Sequence, residues 1–252
     1  GTDVGFIFAV YYRHSVTLTA RAARVLGQTE EAGELETLAE DIREAILAEY
    51  FAPNGRFCLD TQTAYVLALH YGIWRDRQRV MDAFRTRLER DFFKIKTGFA
   101  GTPLMLPTLF ECGLDDYAYR LLMNEELPGW LYAVNMGATT IWERWNSVLP
   151  DGTISGTGMN SLNHYAYGSV CQAIYGYIAG LRPAAPGWKR AVIAPRTNWR
   201  LREIDLAYRS PSGTYRVAWK LLDSGQLDVE LSIPSGAVAQ VELPGREGME
   251  LL

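Results

Sequence analysis

Along the first part of the chain the apolar positions keep a helical period. Phe6, Ala9, Val10, Val16, Ala20, Ala23 and Leu26 recur at mostly three- and four-residue steps and Gly27 follows them, which predicts one amphipathic helix over residues 4–26 ended by a glycine. A second helix is predicted over 30–50, with Leu35, Leu38, Ala39, Ile42, Ile46 and Leu47 as its apolar stripe and charged residues elsewhere. "FAPNGRF" stops it, because Pro53 cannot continue a helix and Asn54-Gly55 is a turn signal. Shorter helical patterns follow at about 61–71, 76–91, 102–112 and 114–124, and a longer one at about 162–180. Successive helices with short links predict stacked helical hairpins.

The period changes after "AGLRPAAPGW". Pro183, Pro186 and Gly187 mark a boundary, and beyond them "KRAVIAP", "REIDLAYRSPSGTYRVAWKLL", "QLDVELSIP" and "AVAQVELP" alternate with a period of two, giving five or so strands. The expected fold is therefore multidomain, α then β: a helical domain over 1–183 and a small antiparallel β-sandwich over 184–252.

Composition narrows the chemistry. With 252 residues, 48% hydrophobic and 21% charged, the chain can bury a sizeable core. A net charge of −4 with no run of Lys or Arg argues against a nucleic-acid surface or a polybasic membrane patch, so a neutral partner is expected. No apolar stretch approaches the roughly 18 residues of a membrane span, and no basic segment precedes the apolar run at 1–12, so no signal peptide is visible and the compartment stays open. Cys58, Cys112 and Cys171 are an odd count without CxxC spacing; they support neither a disulfide framework nor a zinc site and are expected as buried thiols. No Gly-rich phosphate loop or metal-ligand cluster is present, and no cofactor or metal is expected.

Aromatic residues are the first functional signal. Seven Trp and fourteen Tyr exceed the needs of a helical core, and Trp130, Trp142, Trp145 and Trp188 lie close together in sequence. Sugar rings have apolar faces and a hydroxyl rim, so their sites combine flat aromatic walls with a few orienting polar groups. "GATTIWERW" sets Glu143 between Trp142 and Trp145, which fits such a site; packing tryptophans and a carboxylate paired with Arg144 fit it as well. His164, beside Tyr165, is open between a core residue and a sugar contact, whereas His14 and His70 lie within helical patterns and are taken as structural. Asn160 and Asn163 flank the same loop, where either also suits a helix cap.

The stretch from "GWLYAVNMGATTIWERW" through "NHYAYG" to "GLRPAAPGW", with "TQTAYVLALHYG" and "TGFAGTPLMLPTLFECGLDDYAYRLL" upstream in the same order, resembles the C-terminal half of bacterial α-L-rhamnosidases, glycoside hydrolase family seventy-eight. The resemblance implies an (α/α)6 toroid, with the active site at the mouth of the barrel, followed by a β-sandwich. It implies that Glu143 is the general base of an inverting hydrolysis and that His164 contacts the sugar next to the scissile bond. On the residues themselves, the aromatic pattern makes Trp130, Trp142 and Trp145 expected substrate contacts, and Asn160, in the same loop, is a further candidate. Inversion needs a carboxylate with room for a water before the anomeric carbon, the two carboxyls standing roughly 6.5–9.5 Å apart.

One departure accompanies the match. The family's general acid is a glutamate in an acidic segment upstream of the helix that begins this chain; Asp3 is too close to the start to stand for it, and Glu30, Glu31, Glu34 and Glu36 lie on a solvated helix. About eight helical segments are counted where a closed toroid needs twelve. The expectation is a partial toroid plus sandwich whose partners are the missing N-terminal half of the same enzyme and a rhamnose-containing glycoside or polysaccharide. The alternatives are another α/α-toroid glycosidase, acting on fucosides or uronides, and a non-catalytic carbohydrate-binding remnant.

Overall fold

A computed structural model describes residues 1–156 and 158–244. Three helical hairpins come first: α1 (Val4–Val25) with α2 (Thr29–Tyr50), α3 (Gln62–His70) with α4 (Arg77–Arg90), and α5 (Thr102–Glu111) with α6 (Asp115–Leu122). The stripe of α1 behaves as its spacing requires, Phe6, Val10, Val16, Ala20 and Ala23 all being buried. Asp3 caps α1 by accepting from Phe6 N (2.8 Å), and the same oxygen accepts from Tyr50 Oη (2.9 Å) at the end of α2, which closes the first hairpin. α1, α3 and α5 pack side by side, and α2, α4 and α6 each cover their own partner. α3 sits deepest, with every residue from Gln62 to Leu69 buried. Its one long polar side chain, Gln62, is fully used: Nε2 donates to Asp91 Oδ2 (2.8 Å) and the Lys94 carbonyl (2.9 Å), and Oε1 accepts from Lys96 N (2.9 Å). Among the described residues no helix is long and apolar enough to cross a membrane.

Three sequence expectations need correction, two of them beyond α6. A short helix, α7 (Trp130–Asn135), forms where none was predicted. The single helix expected over 162–180 is instead a 3-10 turn (Ala166–Ser169), the four-residue α8 (Val170–Ala173) and a π turn (Ile174–Ile178), because the backbone of 161–164 is engaged by another segment before any helix begins. The cysteines are not all buried. Phe51 and Phe57 bridge and turn inward, so Cys58 next in line faces out; Cys171 is exposed as well, and only Cys112 is half-buried.

Six strands follow. β3 (Glu203–Ser210), β4 (Gly213–Leu221) and β5 (Leu227–Ser232) form an antiparallel sheet, and β4 buries alternate residues Tyr215, Val217 and Trp219. Trp219 Nε1 donates to the Ile178 carbonyl (2.9 Å), which fastens this sheet to the π turn. β1 (Leu181–Pro183) pairs antiparallel with β2 (Arg190–Ile193), and β2 pairs parallel with β6 (Val238–Val241), so the expected small antiparallel sandwich carries one parallel pair in its second sheet. The whole three-stranded sheet lies between β2 and β6 in sequence, and a connection that long permits parallel pairing. Gly180 (φ +81°) makes the bend into β1; a Cβ there would lie 2.3 Å from the Ala194 carbonyl carbon.

Candidate active site

The N-terminal ends of α1, α3 and α5 gather at one end of the bundle, where Thr2 meets Thr61 through their hydroxyls and Tyr11 Oη donates to the Ala100 carbonyl (3.2 Å). The described residues between Gly137 and Tyr165 meet the loop that leads into α5, Trp145 donating to the Thr97 carbonyl and His164 stacking on Phe99. Gly137 (φ +82°) terminates α7, with Ala138 N returning to the Ala133 carbonyl (3.0 Å). Residues 140–143 then run beside 161–164 as a two-ply ribbon. His164 N donates to the Ile141 carbonyl (2.7 Å), Glu143 N to the Ser161 carbonyl (2.9 Å), and Thr140 Oγ1 to the Leu162 carbonyl.

This ribbon aims Glu143. Ser161 N donates to Glu143 Oε2 (2.7 Å), so one carboxylate oxygen is held by main chain while Oε1 makes no hydrogen bond among the described residues. The residue is half-buried. Tyr167 lies close by: burial pushes its phenol up, and the negative charge of Glu143 adds to that rise. The His164 ring stacks on Phe99 (5.0 Å between centroids, 11°) and on Tyr165 (4.9 Å, 17°). Its Nδ1 accepts from Ala166 N (3.2 Å), so the neutral ring carries its proton on Nε2 and can donate there. Glu143 and His164, 21 positions apart in sequence (164 − 143), thus stand on adjacent strands of one ribbon.

Trp142 lies within the ribbon, whereas Trp130 and Trp145 pack against Tyr167. Trp145 lies flat on Tyr167 (4.0 Å, 7°) and donates from Nε1 to the Thr97 carbonyl (3.2 Å); Trp130 meets Trp145 edge-on (5.1 Å, 89°) and donates to the Tyr167 carbonyl (2.9 Å). Trp130 and Trp142 are 8% and 7% exposed. Trp130, Trp142, Trp145 and Tyr167 border an apolar groove of about 370 Å³ with Val134 and Ile174, and neither Glu143 nor His164 lines it. Asn160 works as a staple: Nδ2 reaches the carbonyls of Ser147 (3.2 Å), Ser155 (2.9 Å) and Gly156 (3.2 Å), pinning the 147–155 turn under the ribbon. Sequence reasoning missed Phe99, Ser161 and Tyr167. "NHYAYG" contains Tyr167 and could have flagged it, whereas nothing local marks Phe99 or the amide of Ser161.

A carboxylate held by one oxygen and free at the other, on a ribbon that also carries an imidazole N–H donor, suits activation of a water next to a sugar ring. Among the described residues no group of three or more His, Cys, Asp or Glu side chains could hold a metal ion. Comparison with known proteins agrees in kind. The family model of the bacterial alpha-L-rhamnosidase 6 hairpin glycosidase domain matches residues 1–178, and that of the bacterial alpha-L-rhamnosidase C-terminal domain matches 180–251. The chain belongs to the bacterial α-L-rhamnosidase six-hairpin family. An α-L-rhamnosidase of Streptomyces avermitilis is 38% identical over 245 residues, which is 96% of this chain and 24% of that protein. The crystal structure of the Streptomyces avermitilis α-L-rhamnosidase complexed with L-rhamnose superposes with a TM-score of 0.86 at 38% identity, covering 92% of this chain and 22% of the other. That of the native Aspergillus terreus enzyme gives 0.91 at 32% identity, covering 96% and 28%. The chain therefore spans about a quarter of the length of the curated relatives it matches.

Proposed function

We propose that this chain carries the base side of an inverting α-L-rhamnosidase site, within a helical catalytic portion (1–183) and a C-terminal sheet portion (184–252). Glu143 Oε1 takes the proton of the attacking water while Oε2 stays bound to Ser161 N, and His164 Nε2–H donates to a hydroxyl of the rhamnosyl ring. Trp130 and Trp145 pack against Tyr167, Trp142 lies within the ribbon, and Asn160 fixes the loop. The observation that carries this reading is the hold on Glu143, one oxygen committed and one free on the ribbon shared with His164.

An inverting reaction also needs a protonated carboxyl on the opposite face of the ring. Asp91 cannot serve: burial pushes its carboxyl up, but hydrogen bonds from Arg87, Lys96 and Gln62 outweigh this and leave it below its ordinary value, ionised at neutral pH. We assign the acid to residues outside these 252, in the part of the relatives that this chain does not cover. The test installs this chain in place of the matching quarter of the Streptomyces avermitilis enzyme and follows hydrolysis of an aryl α-L-rhamnoside by proton NMR. The expected first product is β-L-rhamnose. An α-anomer formed first removes the water-activating role of Glu143. Binding of L-rhamnose without turnover supports the carbohydrate-binding remnant instead.

A further inference from the structure

Gln62 opens α3 with its side chain buried against the segment that links α4 to α5. That segment has no regular structure, and among the described residues the main chain of Ile95 and Lys96 bonds to no other main chain. Gln62 supplies what a neighbouring strand otherwise would: Nε2 donates to the Lys94 carbonyl (2.9 Å) and Oε1 accepts from Lys96 N (2.9 Å). The second Nε2 proton goes to Asp91 Oδ2 (2.8 Å), so a flipped amide would set oxygen against a carboxylate and a carbonyl, and the orientation is fixed. Ile95 anchors the segment by its buried side chain, and Gln62 sets which way the peptides on either side of it point. The next residues reach the ribbon. Thr97 accepts from Trp145 Nε1 at its carbonyl, and its hydroxyl bonds that of Thr102 (2.8 Å). Phe99 then stacks on His164 and meets Tyr167 (5.6 Å, 60°). Phe99 is half-exposed, so its ring is placed by its main chain and these two partners rather than by a surrounding core.

We propose that Gln62 is a positioning residue for His164: by holding the main chain of 94–96 it seats Phe99 against the imidazole and so aims Nε2–H at the sugar hydroxyl it serves. This rests on the reading of His164 as a sugar contact. Gln62 itself is too deeply buried to touch a sugar, and it acts only through the run from Lys96 to Phe99.

The test is NMR of the full chain with the His164 ring protons resolved, in wild type, Gln62→Met, Phe99→Leu and the double variant, each titrated with L-rhamnose. Stacking on Phe99 shields those protons, so in Gln62→Met they are expected to move downfield towards their Phe99→Leu positions, while the methyl resonances of Leu67 and Leu69 in α3 keep theirs. The L-rhamnose Kd is expected to rise about three- to tenfold, the worth of about one hydrogen bond. The same substitution made in Phe99→Leu should change it by less than about twofold, because two residues acting through one path are not additive. His164 protons that stay in place in Gln62→Met, or a loss of affinity just as large in the Phe99→Leu background, overturn the positioning role and leave Gln62 a scaffold residue. If the wild-type chain does not bind L-rhamnose, the sugar reading of His164 falls, and the ring shifts alone decide whether Gln62 positions it. A second measurement needs no variant and stands if Gln62→Met does not fold: hydrogen exchange at the Lys96 amide. With Gln62 as its acceptor this amide should be protected as the amides of α3 are, and rapid exchange there overturns the hold on 94–96 and the positioning role with it.

Discussion

Helix α3 and the 140–164 ribbon lie at the same end of the molecule and are made by opposite means. In α3 the backbone satisfies itself and the side chains supply the driving force, since eight consecutive residues are buried among the neighbouring helices. Burying aliphatic side chains such as Val66, Leu67 and Leu69 stabilises by about 1.5–3 kcal/mol each. In the ribbon Glu143 and His164 supply the site's polar groups, and order comes from backbone pairing between segments about twenty residues apart, closed by Asn160, Thr140 and the Glu143 carboxylate itself. The first arrangement tolerates any apolar set of the right volume and holds a scaffold. The second gives up apolar burial to hold two polar groups in fixed relation, as a site requires.

Substitutions should separate the two regions. In the Streptomyces avermitilis enzyme carrying this chain, Glu143→Gln should lower kcat by about 10²–10⁴-fold, the usual worth of one acid–base group, with an unchanged thermal midpoint because the amide still accepts from Ser161 N. An active Glu143→Gln enzyme removes the base assignment. Leu67→Ala should do the reverse, costing about 2–5 kcal/mol in a denaturant titration while kcat at low temperature holds. If Leu67→Ala lowers kcat as much as Glu143→Gln does, the ribbon is not independent of the scaffold.

A third change acts where the regions meet. Asp91, 3% exposed, takes hydrogen bonds from Arg87, Lys96 and Gln62 beneath the loop that carries Phe99. Asp91→Asn should cost about 1–3 kcal/mol, the penalty of a buried hydrogen-bonding group left mismatched. Because the folded carboxyl lies below its ordinary value, its stabilising contribution is complete above the ordinary aspartate range and is lost as pH falls through the folded value. Wild type should therefore lose stability relative to Asp91→Asn as the pH falls below the ordinary aspartate value of about 3.9, measured as urea midpoints at successively lower pH. Parallel pH profiles would remove the charge from the explanation.

The sequence was legible where order is local. The apolar steps of α1 predict its buried residues, though Leu26, placed in the stripe, ends up exposed past the last turn. The motif around Glu143 marks a carboxylate among aromatics, yet the group that holds it, an amide at Ser161, has no side-chain signature. The same non-local pairing explains the helix wrongly extended over 162–165: its residues carry a helical period, and the contest is decided by 141–143, which periodicity within one window cannot see. Phe99 reaches His164 from a different hairpin, and the parallel partner of β2 arrives only after three further strands, so both were invisible for the same reason.

The smallest expected effect bears on Asn160, placed by sequence among the sugar contacts and by structure under the ribbon. Three carbonyls converge on its Nδ2, an arrangement that an oxygen in that position would make repulsive, so the amide orientation is fixed. Its Oδ1 is buried without a partner among the described residues, and that is the atom a sugar contact would have to use. Asn160→Asp keeps an acceptor at Oδ1 and replaces the donor by a second oxygen; Asn160→Ala removes both. A staple predicts that both variants lose about 1 kcal/mol of stability, Asp at least as much as Ala because a carboxylate faces three carbonyls, with faster proteolysis in the 147–156 turn. A sugar contact predicts that Asp retains L-rhamnose affinity and Ala loses it. Chemical denaturation and a rhamnose titration of the two variants decide between them. A stable Asn160→Asp chain with native rhamnose affinity, beside an Asn160→Ala chain that no longer binds, would return Asn160 to the sugar.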